Sequence, residues 1–112
     1  MLNEGVYPGS RLLSKASIET MTALHTGDIA TGFTPGMGYA LGWGIVRDPL
    51  GTVQLLSRGA YGHGGAFGTQ GWVDPNRNLF FVLMIQRSGL PNGDRSDIRH
   101  ALQTIAISAL QD

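Results

Sequence analysis

The stretch YGHGGAFGTQGWVDPNRNLFFVLMIQ, residues 61–86, decides how the rest of the chain is read. Its first half holds five glycines and one of the chain's three histidines. Its second half holds two segments, TQGWV and LFFVLMIQ, joined by DPNRN. Aromatic and β-branched runs around a short Asp/Pro/Asn connection read as antiparallel strands with a hairpin-length turn. LFFVLMIQ is apolar at every position up to Gln86, the pattern of a central strand buried on both faces. The glycine run leads directly into this sheet. Glycines on a strand edge let another backbone approach closely, because no Cβ stands in the way.

Working outward, YALGWGIV (39–46) alternates large and small residues. Tyr39, Leu41, Trp43 and Ile45 fall on one face, and period two predicts a strand. RDPLG is a turn, and TVQLLS (52–57) reads as a second strand in a hairpin with the first. Residues 3–11 are turn-rich, with Gly5, Pro8 and Gly9. RLLSKASIETMTALHTG predicts a helix with Ser14 as N-cap, Ile18, Met21 and Leu24 on one face, and Gly27 as its stop. Residues 26–38 then form a loop. After a second loop, RSGLPNGDR (87–95), SDIRHALQTIAISAL predicts a closing helix. Ser96 caps it, Asp97 suits its positive end, and Ile98, Leu102, Ile105 and Ala109 form its apolar stripe. Helix, antiparallel strands, helix is an α+β pattern, an antiparallel β-sheet flanked by helices.

Composition narrows the function classes. The 112 residues suit one domain or a piece of one, with 42% hydrophobic and 14% charged residues. Eight basic residues balance eight acidic ones, which gives no electrostatic footprint for nucleic acid or an anionic membrane. There is no cysteine, so disulfides and thiolate metal sites are excluded. His25, His63 and His100 lack close metal-ligand spacing, and neither a metal nor a cofactor is expected. No apolar run reaches bilayer length. MLNEGVYPGSR lacks a basic segment followed by an apolar one and does not read as a signal peptide. The compartment stays open.

Three segments, GSRLLSKASIETMT, GYALGWGIV and YGHGGAFGTQGWVDPNRNLFFVLMIQ, together resemble the C-terminal third of the serine β-lactamase and penicillin-binding-protein-like hydrolases. The nearest branch is the class C β-lactamase-like group with the family VIII esterases and D-aminopeptidases. The resemblance implies a partial β-lactamase/DD-peptidase-like fold, with residues 1–112 as a single C-terminal fragment. That family builds its site from a Ser-x-x-Lys, a Tyr-x-Asn and a Lys-Thr-Gly or His-x-Gly strand. His63, Gly64 and Gly65 match the third. By resemblance His63 and Gly65 are catalytic-site residues, and Ala66 offers its backbone N–H to the oxyanion hole. Tyr61, Gly64 and Phe67 would shape the substrate pocket. Without the family, His63 reads as a structural histidine in a glycine-rich turn, and Tyr61, Phe67, Trp43 and Trp72 read as packing residues. Arg77 reads as solvated.

Two of the three motifs are absent. The single lysine is Lys15, and Leu12 stands where the serine belongs. None of Tyr7, Tyr39 or Tyr61 begins a Tyr-x-Asn. Neither Ser10 nor Ser88 lies in a Gly-x-Ser-x-Gly elbow. The expectation is a chain inactive alone, one that lends the His-Gly-Gly strand to a site acting on small esters, amides or β-lactams. Met1 reads as an internal methionine, and any export signal of a longer parent lies upstream of it. A homo-oligomer, or complementation by a missing N-terminal part, is expected to cover the apolar strand edge. Two other readings stay open: a self-associating or binding module without chemistry, and a minimal esterase with a rewired serine.

Overall fold

Five strands follow one another in chain order across one antiparallel sheet: β3 (Met37–Tyr39), β4 (Gly44–Val46), β5 (Tyr61–Gly64), β6 (Gln70–Asp74) and β7 (Leu79–Leu83). A two-stranded ribbon, β1 (Val6–Tyr7) and β2 (Ser10–Arg11), precedes helix α1 (Lys15–Thr22). Helix α2 (Asp97–Ser108) follows the sheet. These elements come from a computed structural model that describes residues 1–31, 34–89, 91 and 96–110. The fold is α+β, an antiparallel sheet flanked by helices, as the sequence implies. Much of the expected 87–95 loop, and part of the 26–38 loop, lies outside the described residues.

Both helix starts follow the capping chemistry. The Ser14 hydroxyl accepts from the Ser17 N–H at 3.0 Å, and the Ser96 hydroxyl from the Arg99 N–H at 3.3 Å. Helix α1 stops at Thr22, well before Gly27. The Thr20 and Thr22 hydroxyls donate back to the carbonyls of Ala16 and Ile18. His25 Nε2 donates to the Thr20 carbonyl at 2.7 Å, so a side chain satisfies the end of the helix.

Two strand expectations are corrected. YALGWGIV is two strands, because Gly42 adopts φ 81° and the Ala40 N–H donates to the Trp43 carbonyl at 2.8 Å. That tight turn makes β3 and β4 a hairpin, with Met37 opposite Val46. TVQLLS forms no strand, and a 3₁₀ turn, Gly51–Val53, runs into its start. Gly51 at φ 55° breaks the extended run. Val53 and Leu56, three residues apart, then point together into the core. That core holds Met37, Val46, Val53, Leu56, Ala60 and Trp72, with Phe81 and Ile107 packed against it.

Among the described residues β7 is an edge strand, not the central strand buried on both faces that its apolar run suggests. Leu79, Phe81 and Leu83 are half-buried, whereas Phe80 and Val82 are 67% and 59% exposed on the other face. The buried side of α2 also differs from the expected stripe. Ile98 and Leu102 are half-buried, but Ile105 is 64% exposed and Ala109 is exposed, while Ser96 and Gln103 are buried and Arg99 and Ile107 half-buried. The buried side of the helix is mixed, with Arg99 and Gln103 beside Ile107, which packs against the core.

The hairpin between β6 and β7 is fixed by a buried carboxylate. Asp74 is fully buried and accepts from the Ser57 N–H at 2.9 Å, the Arg77 N–H at 3.3 Å and Arg77 Nη1 at 2.6 Å. Arg77 is thus tied into the turn and is not simply solvated. Burial alone pushes the Asp74 carboxyl up, but the Ser57 and Arg77 hydrogen bonds outweigh it and hold it below the usual carboxylate range. A lowered carboxyl contributes stability above the unfolded Asp value of about 4, and that stability is lost as pH falls through the folded value. Asp74→Asn is expected to lower stability at neutral pH by about 2 kcal/mol in urea unfolding and to flatten the loss seen between about pH 5 and 3.

Candidate active site

β5 pairs along its length with β6, with His63 opposite Gly71 and Gly64 opposite Gln70. β4 covers its other edge only at Tyr61 and Gly62. Beyond Gly62 the tight turn before β4 carries that chain away. The edge at His63 and Gly64 is therefore open to an extended ligand among the described residues. The chain then turns sharply. The Gly65 N–H donates to the Thr69 carbonyl at 2.7 Å, and the Gly68 N–H to the Gly65 carbonyl at 3.1 Å. Ala66 sits exposed in this turn, and its N–H makes no hydrogen bond among the described residues.

A cleft of about 430 Å³ lies against this turn. Tyr39, His63, Ala66, Trp72, Arg99 and Gln103 line it, together with Gly62, Gly64 and Gly65. Hydroxyls come from Thr31, Thr34 and Thr52, and no serine, lysine or carboxylate is among its described lining residues.

His63 is held at both ring nitrogens. Nδ1 lies 2.7 Å from the Gly64 carbonyl, and Nε2 lies 2.9 Å from the Tyr39 hydroxyl. A carbonyl only accepts, so neutral His63 carries its proton on Nδ1 and Nε2 accepts from Tyr39. The rings of Tyr39 and His63 meet edge to face, with centroids 6.1 Å apart.

The glycines have a physical reason that the sequence alone does not supply. A Cβ on Gly62 would run into the Gly71 carbonyl and the Trp72 ring. A Cβ on Gly64 would run into the Arg99 guanidinium. Arg99 Nη2 donates to the Gly65 carbonyl at 2.9 Å and, at the limit of hydrogen bonding, to the Thr69 carbonyl at 3.5 Å. Burial pulls the Arg99 pKa below the usual guanidinium value. Arg99 Nε and Gln103 Oε1 are buried without hydrogen-bond partners among the described residues.

His63, Gly64, Gly65 and Ala66 thus come together at one cleft. Tyr61 and Phe67 do not join them. Tyr61 is buried edge-on against Trp43, with centroids 5.9 Å apart, and lines a groove of about 580 Å³ with Phe80 and Val82. Burial raises its phenol pKa. Phe67 is 56% exposed and lies outside the cleft lining. Sequence reading missed Tyr39, Arg99 and Gln103. Arg99 and Gln103 stand four apart on α2, the spacing of one helical face, but the neighbouring isoleucines and leucine dominate the apolar pattern. Nothing in the sequence pairs Tyr39 with His63. Among the described residues no cluster of His, Asp and Glu suits a metal ion.

The chain matches the family model described as Beta-lactamase over residues 6–106, and it belongs to that family. A search of curated proteins gave no match.

The tautomer of His63 is directly measurable. Imidazole ¹⁵N spectra of the neutral ring are expected to show Nδ1 protonated and Nε2 bare. Tyr39→Phe is expected to move the Nε2 resonance and leave Nδ1–H in place; a protonated Nε2 in the neutral wild type would contradict the geometry.

Proposed function

We propose that this chain forms one wall of a serine-hydrolase acyl-transfer site and that another polypeptide segment brings the nucleophile. Residues 1–112 act as a single unit, the C-terminal portion of the complete fold. The observation that carries the reading is a β5 edge that is open among the described residues, beside an Ala66 N–H unpaired among them, in a cleft whose described lining holds neither serine nor lysine. A substrate carbonyl would lie along His63 and Gly64, with its oxygen at the Ala66 N–H. As charge develops on that oxygen, a fixed amide stabilises it without reorganisation. His63, held by Tyr39 and Gly64, would orient the substrate and move protons at Nε2.

The substrate class is an activated acyl compound: an ester, a β-lactam or a D-amino acid peptide. The fold does not choose among them. The partner segment would carry Ser-x-x-Lys and Tyr-x-Asn. Its docking place is the β7 edge and its exposed face, where Phe80, Val82 and Met84 are 67%, 59% and 79% exposed. An unprotected apolar edge of this kind recruits another strand. The same feature supports a second reading, a self-associating module without chemistry. The minimal-esterase reading has less support, because no serine is among the described cleft residues.

Co-expression separates these readings. The chain is combined with an N-terminal segment of a β-lactamase-family hydrolase that carries Ser-x-x-Lys and Tyr-x-Asn. A purified heterocomplex that turns over a chromogenic β-lactam or activated ester is the expected outcome, with His63→Ala lowering kcat by about 10²-fold. A stable homodimer that excludes the segment would favour the binding module.

A further inference from the structure

We propose that Arg99 is the positioning residue of the oxyanion donor. Its guanidinium holds the Gly65 carbonyl and so sets the direction of the Ala66 N–H. The proposal rests on the reading above that this N–H meets the substrate oxygen.

Gly65 C=O and Ala66 N–H belong to one peptide unit. In a planar trans peptide the two groups point in opposite directions, so fixing one aims the other. The Gly65 carbonyl accepts from Arg99 Nη2 at 2.9 Å and from the Gly68 N–H at 3.1 Å. With its carbonyl held on the α2 side, the Ala66 N–H faces the other way. Glycine on one side of this peptide lowers the steric barrier to its reorientation when the Arg99 bond is lost. The Gly68 bond alone is a short-range turn contact. Arg99 adds a charged donor from an element 34 residues away in sequence, and such bonds are the stronger kind.

Arg99 is itself anchored. Its N–H is capped by Ser96 at 3.3 Å, and its carbonyl accepts from Gln70 Nε2 at 3.4 Å. Gln70 is buried and accepts from Trp72 Nε1 at 3.2 Å. The first turn of α2 is thereby registered on β6. Arg99 forms no ion pair among the described residues, so its charge is directed at backbone carbonyls. Gly64 completes the arrangement, because any side chain there would occupy the guanidinium's position.

The test has two arms. In the isotope-labelled free chain, Arg99→Ala and Gly64→Ala are compared with wild type. The second variant keeps the arginine but displaces its guanidinium, and it serves where the first fails to fold. Gly65 carbonyl and Ala66 amide resonances, with the Ala66 HN–Hα coupling, are expected to change in both variants. Trp72 indole and β6 amide resonances are expected to stay. Ethylguanidinium added to Arg99→Ala is expected to restore the Ala66 signals. Unchanged Ala66 signals in either folded variant would overturn the proposal.

In the complemented complex, both variants are expected to lose roughly 10- to 100-fold in kcat with KM within about twofold, the pattern of a lost transition-state contact. Unchanged kcat, with wild type active, would also overturn it. If wild-type complex shows no turnover, the functional reading falls, and the spectra alone decide whether Arg99 sets this peptide.

Discussion

Gly62 and Gly64 leave the face that β5 turns toward α2 without side chains. The Trp72 ring lies over the first and the Arg99 guanidinium over the second. The cleft depends on this bare strip. A side chain at Gly62 would push Trp72 out of the core it shares with Val46 and Leu56. A side chain at Gly64 would push Arg99 off the turn that holds Ala66. The glycine run is therefore answered from within the protein as much as by any substrate. Close approach of a helix and an indole already requires it.

The sheet is ordered outward from that strip. On one side β6 carries Trp72 and Gln70 into the core and ends at the buried Asp74, which fixes the turn into β7. On the other side β4 pairs with only the first half of β5 and leaves the His63 edge free. Helix α2 brings Arg99 and Gln103 to the cleft and packs Ile107 against the core. Ile105 and Ala109 of α2 and the outer face of β7 are left toward solvent, while Ile98 and Leu102 are half-buried.

Much of this was legible in the residues. The WVDPNRNLFF hairpin announced itself through strand-forming residues around a Pro/Asn turn. Ser14 and Ser96 announced helix starts through capping chemistry that operates within three residues. His63-Gly64-Gly65 announced the cleft. What escaped depends on distant partners or on local backbone sign. Gly42 and Gly51 take positive φ, which no hydrophobic period reveals, so one strand became a hairpin and another a 3₁₀ turn. Arg99 finds Gly65 across 34 residues, and Tyr39 finds His63 across 24. Ile105 satisfies helical periodicity and still faces outward, because periodicity identifies a stripe without naming what covers it.

The central claim is that this chain holds a hydrolase wall without a nucleophile. Labelling of the purified chain with a fluorophosphonate, read by intact mass, tests it most directly. The expected result is no adduct over a time in which a β-lactamase-family serine hydrolase is fully modified. A single stoichiometric adduct, mapped to one serine and lost in His63→Ala, would contradict it and identify a nucleophile within these 112 residues.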